Sequence, residues 1–260
     1  MGPKITDSNL IYEGERADDT GFGTLKLIQK PGEFCYGVDA VILADFAAEN
    51  ASCGRHTEKV TAVDLGTGTG IIPLILSHKT GWNRLVGVEV QEGSFDRAGR
   101  SAKLNHLEGR MEFLLGDVKD FGRLWGKELT GTADVVVSNP PYTKGSGGLV
   151  SANRAKAIAR HETTAGLEDF IECAAGLLKP HGDFFMVHRP SRLVDICCMS
   201  RAAGLEPKEM CFVSPNCNAA ANIVLVHMVK GGGKQLKVLD PLFVYDARGG
   251  YTEKLKECYR

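Results

Sequence analysis

Short runs of β-branched residues alternate with longer helical stretches along most of the 260-residue chain, and this alternation restricts the fold more than any other feature. Strands are predicted at Val60–Leu65, Arg84–Glu89, Met111–Leu115, Asp134–Ser138, Asp183–His188, Met210–Val213 and Ile223–Val229. Helices are predicted at Gly70–His78, Ser94–His106, Leu167–Leu178 and Arg192–Ala203. Such alternation is typical of an α/β fold with a doubly wound, mostly parallel Rossmann-like sheet.

The alternation stops near the C-terminus. No helical pattern separates Met210–Val213 from Ile223–Val229, so we expect an antiparallel pair at one edge of the sheet. A glycine-rich turn at 230–234 precedes another strand-like run, Leu236–Tyr245, which we expect to pair with the sheet edge. The chain is therefore predicted to have an N-terminal extension packed on the core (1–33), a main α/β domain (34–230) and a C-terminal extension (231–260).

The composition is that of an ordinary globular protein, and it excludes several classes of function. The 31 Lys and Arg nearly balance the 32 Asp and Glu, so any nucleic-acid binding must come from a local basic patch. The eight cysteines form no C-x-x-C pair, and the first residues contain no apolar signal segment. We therefore expect reduced thiols, no metal site and a cytoplasmic protein. The longest apolar run, Ile71–Leu76, is too short to span a membrane.

A glycine-rich turn, Val63-Asp64-Leu65-Gly66-Thr67-Gly68-Thr69-Gly70, ends the first strand of the main domain and precedes an apolar helix. Glycines there allow a ligand to approach the backbone closely. Glu89 ends the next strand and can hold both hydroxyls of a ribose, and Asp117 follows the third strand and can face an adenine amine. The G-x-G-x-G spacing favours S-adenosyl-L-methionine (SAM) over NAD. A glycine-rich turn without a ligand is the alternative.

The fourth strand ends in Ser138-Asn139-Pro140-Pro141-Tyr142. The nitrogen of a base amino group or of an amide is a poor nucleophile because its lone pair is delocalised. The side-chain oxygen of Asn139 and the carbonyl of Pro140 can accept its N–H bonds and direct the lone pair at a sulfonium methyl. The prolines stiffen the loop, and Tyr142 can stack on a planar substrate. Correct positioning of the amine then makes a general base unnecessary. The alternative is that the motif is only a rigid Pro-Pro turn with a structural role.

These two motifs together resemble class I SAM-dependent methyltransferases of the N-P-P-Y, small-domain type. Further segments are similar to one branch, the bacterial tRNA(valine) adenine-N6 methyltransferase family; these are Phe34–Ala44, Ala159–Glu162, Val187–Leu193 and the C-terminal stretch 241–252. The resemblance implies the class I methyltransferase fold for 34–230 and SAM as the cofactor. It also implies a tRNA or another structured RNA as the partner, methylated on the amino group of an adenine next to the anticodon.

The resemblance also assigns roles to single residues. The catalytic set that would hold the acceptor amine is Asn139, Pro140, Pro141 and Tyr142. The set that would bind SAM is Tyr36, Asp39, Asp64, Gly66, Thr67, Gly68, Gly70, Glu89, Asp117 and Asn139. Asp39 also fits the N-cap of a helix over Ala40–Ala48, a structural role that does not exclude contact with a ligand.

A basic segment follows the tetrad. From Thr143 to His161 the chain has four Lys and Arg residues and no Asp or Glu, and such side chains can neutralise phosphates. The predicted RNA-contacting set is Lys144, Arg154, Lys156, Arg160, His161, His188 and Arg189. The alternative to RNA binding is that the segment is a solvated loop and that the residues from Arg160 onward are a charged cluster at the start of a helix.

Other functions stay open at the level of sequence. N-P-P-Y suits an amide nitrogen equally well, so a protein-glutamine N5 methyltransferase acting on a release factor is the second hypothesis. Against it, the polar N-terminal stretch is too short for a separate helical bundle that would dock a protein. A non-catalytic RNA- or SAM-binding module is the third hypothesis, and the intact tetrad argues against it. A methyltransferase for rRNA guanine would carry a duplicated domain, which the sequence lacks.

Overall fold

A nine-stranded sheet is the centre of the fold, and a two-stranded hairpin precedes it in the chain. The computed structural model of the chain describes residues 10–33, 35–120, 126–142 and 165–260. The hairpin strands are β1 (Arg16–Asp19) and β2 (Lys26–Gln29). The sheet strands are β3 (Thr61–Leu65), β4 (Arg84–Glu89), β5 (Met111–Leu115), β6 (Ala133–Ser138), β7 (Leu178–His188), β8 (Leu205–Ser214), β9 (Ile223–Lys230), β10 (Lys237–Val238) and β11 (Leu242–Phe243).

Helices connect these strands and pack on both faces of the sheet. They are α1 (Val38–Asn50), α2 (Ile71–Lys79), α3 (Glu92–Leu104), α4 (Gly126–Leu129), α5 (Leu167–Leu177), α6 (Leu193–Ala202) and α7 (Glu253–Glu257). Short 3-10 turns cover Val118–Asp120 and Pro190–Arg192. Within the described part of the chain, none of the helices combines the length and the apolar character that crossing a membrane requires.

The strand order confirms the predicted doubly wound α/β fold. Along the sheet the order is β10-β8-β9-β7-β6-β3-β4-β5, and β11 also pairs with β8. The strands β3 to β7 pair with one another in parallel. Strand β9 runs antiparallel to both β7 and β8. The antiparallel pair is therefore present as predicted, although β10 and β11 extend the sheet beyond it.

The strand predicted at Leu236–Tyr245 is correct in place but not continuous. Two short strands, β10 and β11, pair with β8 in parallel, and the chain between them leaves the ladder at 239–241. Pro241 lies in that gap, and its lack of an N–H group prevents regular pairing. The division into three parts at residues 33 and 230 stays a prediction.

The central strands are buried on both faces, as their unbroken apolar sequences predict. On β6, Val135 and Val137 pack with α1 and α2 in one apolar cluster. Val136, between them, packs with α5 and α6 in the other. Because successive side chains of a strand point to opposite faces, each residue of this run enters one of two cores.

The chain order reverses between β3 and β6, and this reversal positions the site. From β3 the chain moves outward to β4 and β5, then returns to β6 on the other side of β3. In open α/β sheets, ligands bind at the carboxyl ends of strands at such a switch point. Leu65 pairs with Ser138, and the Ser138 hydroxyl donates a hydrogen bond to the Leu65 carbonyl at 3.0 Å. The glycine turn and the N-P-P-Y tetrad therefore start side by side.

A buried ion pair fastens the N-terminal segment to α3. Arg100 donates to both carboxylate oxygens of Glu15, at 2.6 and 2.8 Å, and each side chain is only 6% exposed. These hydrogen bonds hold the pKa of Glu15 below its ordinary value of 4.5. A carboxyl with a lowered pKa in the folded state stabilises the fold at pH values above its pKa in the unfolded chain. This contribution is lost as the pH falls through the pKa of the folded state.

Replacing Glu15 by glutamine is therefore expected to lower the free energy of unfolding at pH 7 by about 2 kcal/mol, because the buried Arg100 loses one of its two carboxylate partners and keeps Asp96. The loss relative to the parent should shrink in acid. Urea unfolding at several pH values measures both effects. Glu112→Gln is the control, since the Glu112–Arg84 pair is exposed and should contribute less than about 1 kcal/mol. Equal losses in the two variants would contradict a stabilising role for the buried Glu15–Arg100 ion pair.

Candidate active site

Gly70 and Gly68 of the glycine turn differ in what surrounds them. Gly70 caps the start of α2 with φ +87°, and a Cβ there would lie 3.0 Å from the Phe113 ring, so packing requires glycine. Gly68 has φ +59°, but a Cβ there would meet no atom within 4 Å. The open side of Gly68 is therefore a place where a ligand can reach the backbone.

Glu89 holds this turn in place. Its Oε2 accepts a hydrogen bond from the Gly68 amide, and its Oε1 accepts one from the Gln91 amide, both at 2.8 Å. Burial raises the pKa of Glu89, although these two amide donors oppose the shift. Each carboxylate oxygen has a further lone pair. Glu89 can thus shape the loop and still accept hydrogen bonds from the two hydroxyls of a ribose.

Asp64 is an unsatisfied buried carboxyl next to the turn. It is 2% exposed, and neither of its side-chain oxygens has a hydrogen-bond partner among the described residues. Burial raises the pKa of Asp64 to about 7; the Thr67 hydroxyl opposes this shift although it does not reach hydrogen-bonding geometry. A buried carboxyl without a partner is costly, so Asp64 fits a site completed by a ligand with a cationic or N–H group.

Asp117 follows β5 at the adjacent strand end, as predicted, but local contacts occupy it. Its Oδ1 accepts a hydrogen bond from the Lys119 amide at 3.0 Å, and its Oδ2 lies 3.5 Å from Lys119 Nζ. The Gly116 amide donates to the Glu89 carbonyl at 2.9 Å, which joins the ends of β4 and β5. Asp117 therefore shapes the turn at the rim where a ligand would lie.

Two further candidate site residues escaped the sequence analysis. Val90 and Leu115 lie directly after β4 and at the end of β5, and they are 49% and 42% exposed. Apolar side chains left exposed at the carboxyl ends of neighbouring strands suit a planar apolar ring. The signal was present in the sequence as an apolar residue beside Glu89 and another near Asp117, but their exposure is visible only in the fold.

The tetrad meets Asp39, a residue from a distant part of the chain. The Tyr142 hydroxyl lies 3.2 Å from Asn139 Oδ1 and 3.3 Å from Asp39 Oδ2. A hydroxyl carries one hydrogen, and the charged carboxylate is the stronger acceptor. When Tyr142 donates to Asp39, the Asn139 oxygen keeps its lone pairs for an amine.

The predicted helix N-cap at Asp39 is wrong. Gly37 is the N-cap of α1 and Val38 its first residue, so Asp39 lies within the first turn. Its Oδ1 accepts a hydrogen bond from the Ala40 amide at 3.1 Å, while its Oδ2 faces Tyr142. A carboxylate in the first turn still interacts favourably with the helix dipole, but the contact with Tyr142 decides its orientation.

His188 and Arg189, at the end of β7, pack on the tetrad. The His188 ring lies edge-on to Tyr142 with centroids 5.1 Å apart, and the Arg189 guanidinium lies 4.8 Å from the Tyr142 ring centroid. His188 Nδ1 accepts a hydrogen bond from the Arg189 amide at 2.8 Å. Burial, with the nearby arginines, lowers the pKa of His188 to about 4. A neutral, buried His188 supports Tyr142, and the Arg189 guanidinium also donates to the Asn222 carbonyl at 2.9 Å.

The remaining predicted residues lie apart from this cluster or outside the description. Tyr36 lines a separate pocket, together with Tyr251 and Asp19. The residues that line this pocket do not include the glycine turn. Five residues of the predicted RNA-contacting set lie outside the described residues: Lys144, Arg154, Lys156, Arg160 and His161. Over the ranges that the structure describes, no group of three or more His, Cys, Asp or Glu side chains is arranged to hold a metal ion.

Comparison with known proteins agrees with this geometry. A family model described as "Methyltransferase small domain" matches residues 25–195. A tRNA1(Val) (adenine(37)-N6)-methyltransferase of Porphyromonas gingivalis is 33% identical over 164 residues, which are 62% of this chain and 60% of that protein. The chain thus spans about three fifths of that relative's length. A Pedobacter heparinus protein of the same name is 27% identical over 218 residues, 84% of this chain and 86% of that protein.

Solved structures share the fold. A predicted O-methyltransferase of Agrobacterium tumefaciens superposes with a TM-score of 0.66 at 20% identity, covering 85% of this chain and 95% of the other. A putative class I SAM-dependent methyltransferase of Listeria monocytogenes gives a TM-score of 0.58 at 16% identity, covering 85% and 70%. At this level of identity the likeness concerns the fold alone.

Proposed function

This chain belongs to the methyltransferase small domain family, and from that premise we propose that it transfers a methyl group from SAM to the exocyclic amino group of an adenine in RNA. The proposed substrate is a tRNA, because the similar P. gingivalis and P. heparinus proteins are named tRNA1(Val) (adenine(37)-N6)-methyltransferases. The family resemblance implies that the target adenine lies next to the anticodon. The predicted cytoplasmic location follows from such a substrate. One observation carries the proposal: the glycine turn and the N-P-P-Y tetrad start from paired residues of β3 and β6.

The residues at the glycine turn fit SAM. The open side of Gly68 leaves room for a ligand against the backbone, and Glu89 can accept hydrogen bonds from ribose hydroxyls. The unpartnered carboxyl of Asp64 suits the ammonium of the methionine part. Val90 and Leu115 provide exposed apolar surface for an adenine ring. When bound, SAM supplies a methyl group on a positively charged sulfonium.

The tetrad is proposed to hold the acceptor. Asn139 Oδ1 and the Pro140 carbonyl would each accept one N–H bond of the adenine amine, so that its lone pair points at the methyl carbon. With SAM bound, the nitrogen–carbon bond would form as the carbon–sulfur bond breaks, and the surplus proton on the nitrogen would pass to water. Asp39 would accept the Tyr142 hydroxyl hydrogen and so leave the lone pairs of the Asn139 oxygen to the amine. The RNA grip is proposed to include Arg189 and the basic residues between 143 and 161.

Tritiated SAM incubated with total bacterial RNA, free nucleosides and a purified release factor tests this function against the protein-glutamine alternative. We expect label in RNA, recovered as N6-methyladenosine after digestion to nucleosides. Label in the release factor alone would favour the amide acceptor. SAM binding with no transfer to any of the three would favour a non-catalytic module.

Replacing Tyr142 by phenylalanine is expected to lower kcat/KM for RNA less than tenfold, because the ring still stacks on the base. Tyr142→Ala removes the ring and should cost about ten- to a hundredfold, since base–aromatic stacking is worth roughly 1–3 kcal/mol. Steady-state methyl transfer measures both variants. Equal losses would assign the effect to the hydroxyl and its contact with Asp39.

A further inference from the structure

A second pocket, of about 540 Å³, lies beside the proposed active site. Its walls come from the β1–β2 hairpin, from the segment just before α1 and from the C-terminal residues on both sides of α7. Of its lining residues, Tyr36 was predicted to bind SAM, and the proposed function assigns no role to the others. Its lining combines aromatic rings with hydrogen-bond acceptors, which together indicate the chemistry of a ligand.

One wall is aromatic. The rings of Tyr251 and Tyr259 are nearly parallel, at 14° with centroids 6.1 Å apart, and Tyr259 stacks in turn on Phe22. Tyr36 also lines the pocket. Tyr251 is 37% exposed, so part of this wall is open to a ligand. Rings held in place by neighbouring rings lose little entropy on binding and offer a planar surface to another planar ring.

The polar groups of the pocket are mainly acceptors. Gln29 is 4% exposed; its Nε2 donates to Asp18 Oδ2 at 2.6 Å, and its Oε1 is buried with no hydrogen-bond partner among the described residues. Asp19 Oδ1 accepts a hydrogen bond from the Gly21 amide. The Arg16 guanidinium is paired with Asp18 at 2.8 Å. The pocket thus contains two carboxylates and an amide oxygen, and its one cation is already paired. Such a lining repels a phosphate and favours a ligand edge that carries N–H groups.

The start of α1 lies between the pocket and the tetrad. Gly37 and Val38 line the pocket, and the next residue, Asp39, lies 3.3 Å from the Tyr142 hydroxyl. An RNA strand that places an adenine at Asn139 can therefore reach this pocket with a neighbouring nucleotide. Single-stranded RNA is typically recognised by stacking an unstacked base on aromatic side chains and bonding its edge.

We propose that this pocket binds a second nucleobase of the RNA substrate, one that carries an exocyclic amino group, and so selects the sequence beside the target adenine. The base packs on the Tyr251 side of the wall and donates its amino hydrogens to the acceptors on the hairpin. Adenine, cytosine and guanine carry such a group, whereas uracil does not. The inference rests on the proposed function for the identity of the RNA, but not for the chemistry of the pocket.

The experiment uses RNA stem-loops with one target adenine, in which each flanking position in turn carries adenosine, uridine or an abasic site. Fluorescence anisotropy measures their Kd without requiring turnover. The parent should bind an adenosine-flanked loop about tenfold more tightly than the abasic loop at one of these positions, as expected for one stacked base. The uridine-flanked loop should lie between them.

Three variants test the assignment. Tyr251→Ala should abolish the preference for adenosine over the abasic site, while Tyr251→Phe should keep it. Asp19→Asn retains the acceptor for the Gly21 amide but replaces the other oxygen by a donor, so the preference for adenosine over uridine should disappear or reverse. The Kd for SAM and the thermal midpoint should stay at parental values in Asp19→Asn and Tyr251→Phe.

The outcomes separate this inference from the proposed function. A parent that methylates tRNA but binds all three loops equally, or a Tyr251→Ala variant that keeps the preference, overturns the base pocket and leaves the methyltransferase intact. A parent that shows the preference but transfers no methyl group to RNA supports the pocket and contradicts the proposed function. A loss of SAM affinity in Asp19→Asn equal to its loss of base preference would also overturn the pocket.

Discussion

Asn139→Ala is expected to lower kcat for methyl transfer to RNA by about a hundredfold or more while the Kd for SAM stays near the parental value. The Asn139 side-chain oxygen is one of two proposed acceptors for the adenine amine, and an acceptor that acts only in the aligned complex affects turnover far more than cofactor binding. Single-turnover transfer and calorimetry of SAM binding measure the two quantities separately.

Two further variants distinguish an acceptor from a structural residue at position 139. Asn139→Asp keeps an oxygen acceptor of nearly the same shape and should recover part of the lost turnover. Ser138→Ala removes only the buried hydrogen bond to the Leu65 carbonyl and should change kcat little, at a stability cost of about 1 kcal/mol. If Asn139→Ala instead lost SAM affinity with an unchanged kcat, the tetrad would belong to the cofactor site.

Gly68→Val is expected to abolish measurable SAM binding without unfolding the protein. A Cβ at Gly68 would meet no protein atom within 4 Å, so a valine side chain fills the space proposed for the cofactor rather than clashing with the core. The substitution also carries a backbone cost, because φ is +59° there and a side chain in this region is strained by about 1–3 kcal/mol. Calorimetry and thermal unfolding measure the two effects.

Gly131→Val supplies the matched control for that strain. Gly131 has φ +66° and equally open space around its Cβ position, but it lies in the turn before β6, away from the glycine turn. Both variants should lose similar stability, and only Gly68→Val should lose SAM affinity. Equal SAM affinity in the two variants would remove the glycine turn from the cofactor site.

The fold and the two motifs were predictable from sequence because each depends on local patterns. Unbroken apolar runs such as Val135–Val137 predict strands covered on both faces, and the structure divides this run between two cores. Glycines after β3 and prolines after β6 mark turns wherever the chain folds. Parallel strands end at one edge of a sheet, so the predicted strands place both turns at that edge, but the pairing of β3 with β6 is visible only in the fold.

Contacts between distant residues were not predictable in the same way. Asp39 and Tyr142 are 103 positions apart, and the capping rule that predicted Asp39 as an N-cap considers only its neighbours in sequence. His188 reads as a basic residue near an RNA, but burial lowers its pKa to about 4 and makes it a neutral support for Tyr142. Solvent exposure, which distinguishes Val90 and Leu115 from ordinary apolar residues, is likewise a property of the folded chain.

The sequence by itself determined the α/β class of this protein, the glycine turn and the tetrad, because backbone preferences and hydrophobic periodicity act over a few residues. Only the tertiary structure decided that Glu89 secures the Gly68 amide, that Asp64 is buried without a partner, and that the two ends of the chain form a pocket beside the start of α1. Those features depend on which groups meet after the sheet assembles and on how much water remains around them, and neither is encoded in a local pattern.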